Sequence, residues 1–149
     1  MNDFVYVTYI RSSRLKVWEA LTSGSFTRKY FFGRDVVSEW TEGARVVYLR
    51  ENGELDVEGE VLQANPFERL SFTWRHAGDT RSEPTIVTFI LEEMNETVKL
   101  TLHHERLMDG DLNEENDTFR GLNNGWPAIL SNLKSYLETG ETLTPMDIK

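Results

Sequence analysis

A chain of 149 residues with 39% hydrophobic and 28% charged residues has the composition of one globular domain of ordinary size. It contains no cysteine, which excludes disulfides and thiolate chemistry. Its net charge of −9 repels phosphate backbones and anionic lipids, so we expect neither a nucleic acid nor a membrane surface as a partner.

The N-terminal sequence and the lack of linkers indicate where the protein is located and how many domains it has. The N-terminal sequence MNDFVYVTYIRSSR lacks the basic segment and apolar core of a secretion signal. The longest mainly apolar stretch, residues 86–91, is too short to span a bilayer, so we expect a cytoplasmic protein. No repeat or low-complexity linker interrupts the chain. This predicts a single domain over residues 1–149, in which residues 141–149 form a flexible tail.

The first part of the chain predicts a strand followed by two short helices. Residues 3–10 are rich in β-branched and aromatic types, which is typical of a strand. Ser12 or Ser13 then caps a short helix that stops at Gly24. A second helical turn is expected over residues 25–30.

Six further segments have the composition of strands. They occupy residues 35–40, 44–50, 56–64, 68–75, 84–93 and 97–105. A break at Asn65-Pro66 separates the third from the fourth, and residues 93–96 form the last hairpin turn. In the final segment, apolar and polar residues alternate, which indicates a sheet with one solvated and one covered face. The residues expected on the covered face are Leu70, Phe72, Trp74, Val87, Phe89, Leu91, Val98, Leu100 and Leu102.

The C-terminal segment GWPAILSNLKSYLETG keeps helical spacing in spite of its proline. The apolar residues of the range 119–137 stay within an arc of about 100° on a helical projection. This predicts one long helix with a bend, where Pro127 removes a hydrogen bond and crowds the carbonyl of Asn123. The alternative is a helix that begins at Trp126-Pro127 with Asn124 as its cap.

Together these elements predict an α+β fold, in which one curved antiparallel sheet wraps around a long C-terminal helix. Their order resembles the helix-grip fold of the START-like, or SRPBCC, superfamily. The segments VTYIRSSRLKVWEALT, ERLSFTW, LTLHHERL and GWPAILSNLKSYLETG are similar to the branch related to the C-terminal domain of the heat-shock-protein-90 ATPase activator. The resemblance covers residues 4–140. It implies a cavity between sheet and helix that takes hydrophobic ligands.

The triplet His103-His104-Glu105 is the most conspicuous candidate for chemistry. Neighbours on a strand point to opposite faces, so the two histidines cannot bind one metal ion together. The strand phase predicts that His104 points inward and His103 outward. An inward histidine can contact a ligand or move a proton, but it is more often a core residue bonded to a neighbour. We interpret His104 as a polar contact without a catalytic part.

No motif predicts a metal ion or a cofactor. Residues 109–113 resemble the start of a calcium loop, but Glu114 stands where that loop requires glycine and Arg120 where it requires glutamate. The chain contains no phosphate loop, dinucleotide fingerprint or nucleophile elbow.

The aromatic residues of the covered face predict a ligand pocket. A curled sheet and a straight helix diverge at one end, and the gap is mostly apolar with a few polar groups that orient a ligand. The alternative is an ordinary core filled by the same side chains. The expected ligand-binding residues are Trp40, Phe72, Trp74, Phe89, Leu102, His104, Trp126, Leu130 and Leu133. The candidates for the polar groups are Tyr48, Thr73, Arg75, His104 and Tyr136.

Three functions remain open. The first is a protein that binds an apolar or aromatic small molecule. The second is a cyclase or hydrolase in the same cavity, for which His104 is the one candidate in an acid–base pair. The third is a chaperone partner related to the activator, whose further N-terminal domain has no room in 149 residues. The residues favour the binding protein, then the enzyme, then the chaperone partner.

Overall fold

The computed structural model describes residues 2–143, which contain seven strands and three α-helices. In chain order they are β1 (Asn2–Ile10), α1 (Arg14–Thr22), α2 (Gly24–Tyr30), β2 (Asp35–Ser38), β3 (Arg45–Leu49), β4 (Leu55–Asn65), β5 (Arg69–His76), β6 (Thr85–Met94), β7 (Thr97–Leu107) and α3 (Leu122–Thr139). The number and order of the predicted elements are confirmed.

The strands form one antiparallel sheet in the order β1-β7-β6-β5-β4-β3-β2. Successive strands from β2 to β7 are neighbours, whereas β1 pairs with β7, the strand most distant from it in the chain. The curved sheet covers α3, so the molecule has the α+β helix-grip fold that the sequence predicted.

The alternation along β5, β6 and β7 sets which side chains enter the core. Cross-strand pairs such as Phe72 with Val87 and Phe89 with Leu102 hold the three strands in register. All nine residues expected on the covered face are buried, with at most 4% of their surface exposed. The predicted register is therefore confirmed, because a slip by one residue would expose them.

Gly59 lies where β4 and β5 approach each other most closely. A Cβ atom added to it would come 1.7 Å from the carbonyl oxygen of Thr73. Regular pairing is interrupted beside it, and the amide of Glu60 donates to Thr73 Oγ1 at 2.8 Å. This irregularity requires glycine in the strand.

The first helix differs in its C-terminal boundary from the prediction. Ser13 caps it by accepting a hydrogen bond from the amide of Lys16 at 3.2 Å. Its C-cap is Ser23, and Gly24 is the first residue of α2, so Gly24 does not stop a helix. Gly24 is instead close to β2, where an added Cβ would lie 3.0 Å from the carbonyl oxygen of Val36.

One helix runs through Pro127, which confirms the main prediction for the C-terminal segment and makes the alternative start at Trp126 wrong. The helix begins later than predicted, because Gly121 is its N-cap with φ of 88°, so Phe119 stands outside it. Asn123 fixes this start through two hydrogen bonds of 2.9 Å to the backbone of Asn113. The bend remains a prediction.

The C-terminal tail predicted over residues 141–149 lies mainly outside the described residues. Leu143 ends the described part, and its amide donates to Asn132 Oδ1 at 2.9 Å. Within residues 2–143, no helix has the length and apolar character needed to cross a membrane.

Candidate functional site

A cavity of about 260 Å³ lies between the beginning of α3, the end of β5 and the loop after α2. Its aromatic lining consists of Phe31, Phe32, Trp74, Phe119 and Trp126. The charged and titratable side chains in its wall are Arg34, Asp56, His76, Asp111 and Arg120. His76 and Arg120 are exposed and mark the opening to solvent.

Two tryptophans form the inner part of the wall. Trp74 is held by the inward face of β5 and Trp126 by the buried face of α3, and both are almost fully buried. Their ring centroids are 5.2 Å apart, and the edge of Phe31 meets Trp126 at 5.6 Å. Aromatic rings at these distances attract one another, so the three side chains hold one another in place.

The outer part of the wall comes from two loops. Phe32 follows α2 in a turn with positive φ at Phe32 (48°) and Gly33 (75°), and its ring lies 6.3 Å from that of Phe119 in the loop before α3. Both rings are partly exposed. The outer wall of the cavity is therefore made of side chains that are only partly buried.

His104 belongs to a buried chain of hydrogen bonds behind the cavity. Trp126 Nε1 donates to His104 Nδ1 at 3.0 Å, and His104 Nε2 lies 2.7 Å from Thr85 Oγ1. The Thr85 hydroxyl donates to the carbonyl oxygen of Trp74 at 3.0 Å, so it accepts from His104 Nε2–H. The histidine is neutral, with its proton on Nε2, and both ring nitrogens are used within the protein.

Burial keeps this histidine neutral. It lowers the pKa of His104 to about 3, because the charged form would lose its hydration. The inward direction predicted for His104 is confirmed, and its side chain is bonded to its neighbours as in the alternative of a core histidine. Contact between His104 and a ligand would require one of its two hydrogen bonds to open.

Asp56 is neutralised by two arginines in the cavity wall. Arg34 Nε donates to Asp56 Oδ2 at 2.9 Å, and Arg50 Nη2 donates to Oδ1 at 3.1 Å. Arg34 is held further by donation to the carbonyl oxygen of Phe32 at 2.6 Å. Since both oxygens of Asp56 accept from arginine, the carboxylate is compensated.

Asp111 is compensated in the same way on the other side of the cavity. Arg81 binds it with two hydrogen bonds of 2.7 and 2.9 Å, and the amide of Met108 donates a third of 2.8 Å. The guanidinium of Arg81 lowers the pKa of Asp111. Asp111 is therefore not suited to accept a proton near neutral pH.

The predicted ligand-binding residues divide into two groups. Trp74 and Trp126 line the cavity. The others pack in or against the core, outside the lining; they are Trp40, Phe72, Phe89, Leu102, His104, Leu130 and Leu133. Trp40, which is partly buried, is fixed by donation from its Nε1 to the carbonyl oxygen of Thr22 at 2.9 Å. Ligand binding by these residues remains a prediction.

The polar groups proposed from the sequence lie apart from the cavity. Thr73 and Arg75 alternate with the inward Phe72 and Trp74, so they point to the outer face of the sheet. Tyr48 is buried against the ring of Phe31 at 4.9 Å. Tyr136 on α3 packs against Phe26 and does not line the cavity.

Sequence reasoning missed the loop residues of the wall. Periodicity cannot detect Phe31, Phe32 and Arg120, because they lie outside the regular elements, and it placed Phe119 on the stripe of α3 instead of in the loop before that helix. The available signal was the pair Phe31-Phe32 directly before Gly33, because aromatic residues in a loop are candidates for a binding site.

Asp3, His103 and Glu105 gather on the outer face of the sheet. Their potential ligand atoms lie within 4.8 Å of one another, and His103 Nε2 is 3.1 Å from Asp3 Oδ2. The outward direction predicted for His103 is confirmed. None of the three residues lines the cavity.

Comparison with protein families finds one match to most of the chain. The family model described as "Activator of Hsp90 ATPase homolog 1-like protein" matches residues 11–138. No curated protein is significantly similar to the chain in sequence.

Several solved structures share the fold. The Aha1 dimer from Colwellia psychrerythraea is 24% identical, with a TM-score of 0.72 over 94% of this chain and 98% of that chain. ChR145 from Cytophaga hutchinsonii is 26% identical, with a TM-score of 0.70 over 94% and 96%. An HSP90 activator from Plasmodium falciparum is 17% identical, with a TM-score of 0.72 over 91% and 96%.

Proposed function

Since the chain belongs to the family of activator of Hsp90 ATPase homolog 1-like proteins, we propose a function from what its own cavity can do: it binds a small aromatic molecule between the sheet and α3. The observation that carries this proposal is the aromatic wall, in which Trp74, Trp126 and Phe31 surround a space that opens to solvent. An apolar cavity with a few polar groups at its edge is typical of small-molecule sites.

The size of the cavity limits the ligand. An apolar cavity of about 150 Å³ accommodates benzene in another protein, so the 260 Å³ here suits one ring or two fused rings. Apolar surface removed from water contributes about 25 cal/mol per Å², from which the ordering costs of binding are subtracted. A ligand of this size can reach micromolar affinity, which corresponds to about 8 kcal/mol.

The hydrogen bonds of Asp56, Asp111 and His104 support binding over catalysis. Asp56 and Asp111 are each compensated by arginine, and both nitrogens of His104 are used within the protein. A cyclase or hydrolase would need an acid–base pair that reaches the substrate.

A chaperone partner is the second candidate. The description of the family model and the name of the Plasmodium falciparum structure both refer to Hsp90. The test is the ATPase rate of Hsp90 with and without the purified protein. A rate that rises in proportion to added protein would support this candidate, and it is independent of ligand binding.

The main proposal is tested with a panel of one-ring and two-ring compounds, followed by tryptophan fluorescence, because Trp74 and Trp126 line the cavity. Hits are then measured by calorimetry on Leu122→Trp, in which the larger side chain occupies the cavity beside the start of α3. Leu15→Trp is the matched control, because Leu15 is 54% exposed on α1. If the hits bind Leu122→Trp as tightly as they bind the unaltered protein, the proposal that they bind in this cavity is wrong.

A further inference from the structure

Among the described residues, one cation of the cavity wall has no hydrogen-bond or ion-pair partner for its side chain. Arg34 is paired with Asp56, and Arg81 behind the wall is paired with Asp111. The guanidinium of Arg120 makes no hydrogen bond or ion pair with any residue of the range 2–143. Its backbone is held in place, since its amide donates to Thr118 Oγ1 at 3.1 Å. Within residues 2–143, no carboxylate is paired with the positive charge that Arg120 brings to the cavity wall.

The position of Arg120 relative to α3 adds to this charge. Arg120 directly precedes Gly121, the N-cap of a helix of 18 residues, and Gly121 provides no side chain to cap the helix. Gly121 and Leu122 also line the cavity. The N-terminus of a helix is its electropositive end, so the helix and Arg120 favour the same kind of charge at the opening.

The wall carboxylates do not cancel this effect. Asp56 accepts from both Arg34 and Arg50, and Asp111 accepts twice from Arg81. The acidic residues nearest to Arg120 in the chain, Glu114, Glu115 and Asp117, are exposed to solvent, where salt at physiological concentration screens charges over about 8 Å. Arg120 and the start of α3 therefore favour an anionic group at the opening.

We propose that the molecule bound in the cavity is an aromatic carboxylate, whose ring lies against Trp74 and Trp126 and whose anionic group is bound by Arg120 at the opening. This inference rests on the proposed function, to which it adds the chemical class of the ligand. An arginine binds a carboxylate with two parallel hydrogen bonds, which gives orientation as well as affinity.

The test compares two probes of nearly equal shape, naphthalene-2-carboxylate and the neutral naphthalene-2-carboxamide, by calorimetry at pH 7. We expect the unaltered protein to bind the carboxylate at least fivefold more tightly than the amide. Arg120→Gln should weaken the carboxylate by about five- to tenfold and leave the amide unchanged. Added salt should weaken the carboxylate alone. Arg14→Gln removes the same charge from α1, outside the cavity lining, and should change neither affinity.

The possible outcomes separate the two proposals. Equal affinities of the unaltered protein for the two probes, or an equal loss of both in Arg120→Gln, would overturn the role of Arg120 and leave the aromatic site standing. Binding of neither probe to the unaltered protein would overturn both. Unchanged amide binding by Arg120→Gln also shows that the variant is folded.

Discussion

A single buried histidine connects the helix to the sheet. His104 on β7 accepts from Trp126 on α3 and donates to Thr85 on β6, which in turn donates to the backbone of Trp74 on β5. Four elements thus meet at one imidazole. Because removal of one partner leaves a buried polar atom without a hydrogen bond, each member of this chain holds the others in place.

The pKa of His104 predicts how stability depends on pH. It is about 3 in the folded protein and 6.5 in a model peptide, so between these values the unfolded chain binds more protons. The free energy of unfolding should therefore fall as the pH decreases from 6.5 towards 3, by up to about 1.4 kcal/mol per pH unit from this residue. Urea titrations at pH 7, 6, 5 and 4 measure the slope.

His104→Gln should flatten this slope, because glutamine can bond to the same neighbours without titrating. His103→Gln is the control, since His103 lies on the outer face of the same strand. A slope that is the same in all three proteins would mean that His104 is not buried as described.

At the scale of elements, the contact between β4 and β5 tolerates no side chain at Gly59. Gly59→Ala should lower the free energy of unfolding by at least about 1–3 kcal/mol, because the added Cβ would lie 1.7 Å from the carbonyl oxygen of Thr73 and the strands must separate. Gly110→Ala is the control, since an added Cβ there meets nothing within 4 Å. Equal stability of the two variants in urea would contradict the close approach.

The buried stripe of α3 gives a second prediction. Leu130→Ala or Leu133→Ala should cost about 2–5 kcal/mol, because each removes a side chain with no exposed surface from the core. Leu15→Ala, at an exposed position of α1, should change the free energy of unfolding by less than about 0.5 kcal/mol. If denaturant melts show a loss of less than about 1 kcal/mol for both core variants, neighbouring side chains can collapse into the space left by each leucine.

Regular elements were predictable because their patterns are local. The alternation in β7 placed His104 inside, and the helical spacing carried α3 through Pro127. The start of α3 was missed, because it depends on contacts between Gly121, Asn123 and the distant Asn113. The bond from Trp126 to His104 was missed for the same reason, since strand phase does not identify partners on other elements.

The outer wall of the cavity was beyond prediction for a related reason. Phe32 and Phe119 meet although they come from loops far apart in the chain. Loop positions depend on tertiary packing, so the helical period placed Phe119 on the stripe of α3, whereas it lies in the loop before that helix. The sequence therefore predicted a gap between sheet and helix, whereas its position and half of its lining depend on the loops.

At the scale of the whole molecule, ligand binding should raise thermal stability. A ligand that binds only the folded state adds about 2.7 kcal/mol at a hundredfold excess over its Kd. For a domain of this length, that corresponds to an increase in Tm of about 5–10 °C. Scanning calorimetry with naphthalene-2-carboxylate measures it. Leu122→Trp should show no increase, and a shift of equal size in that variant would contradict binding in the cavity.

The pairing of β1 with β7 has a consequence for synthesis on the ribosome. Asp3 and His103, whose side chains lie 3.1 Å apart, are 100 residues apart in the chain, and the amide of Arg11 donates to Glu138 across 127 residues. At about 5–20 residues per second, the first strand waits about 5–20 s for its partner to be made. During that time its sequence DFVYVTYI, rich in β-branched and aromatic residues, has an open edge that can pair with another nascent chain. We therefore expect slow translation to increase aggregation of this protein before β1 can pair with β7.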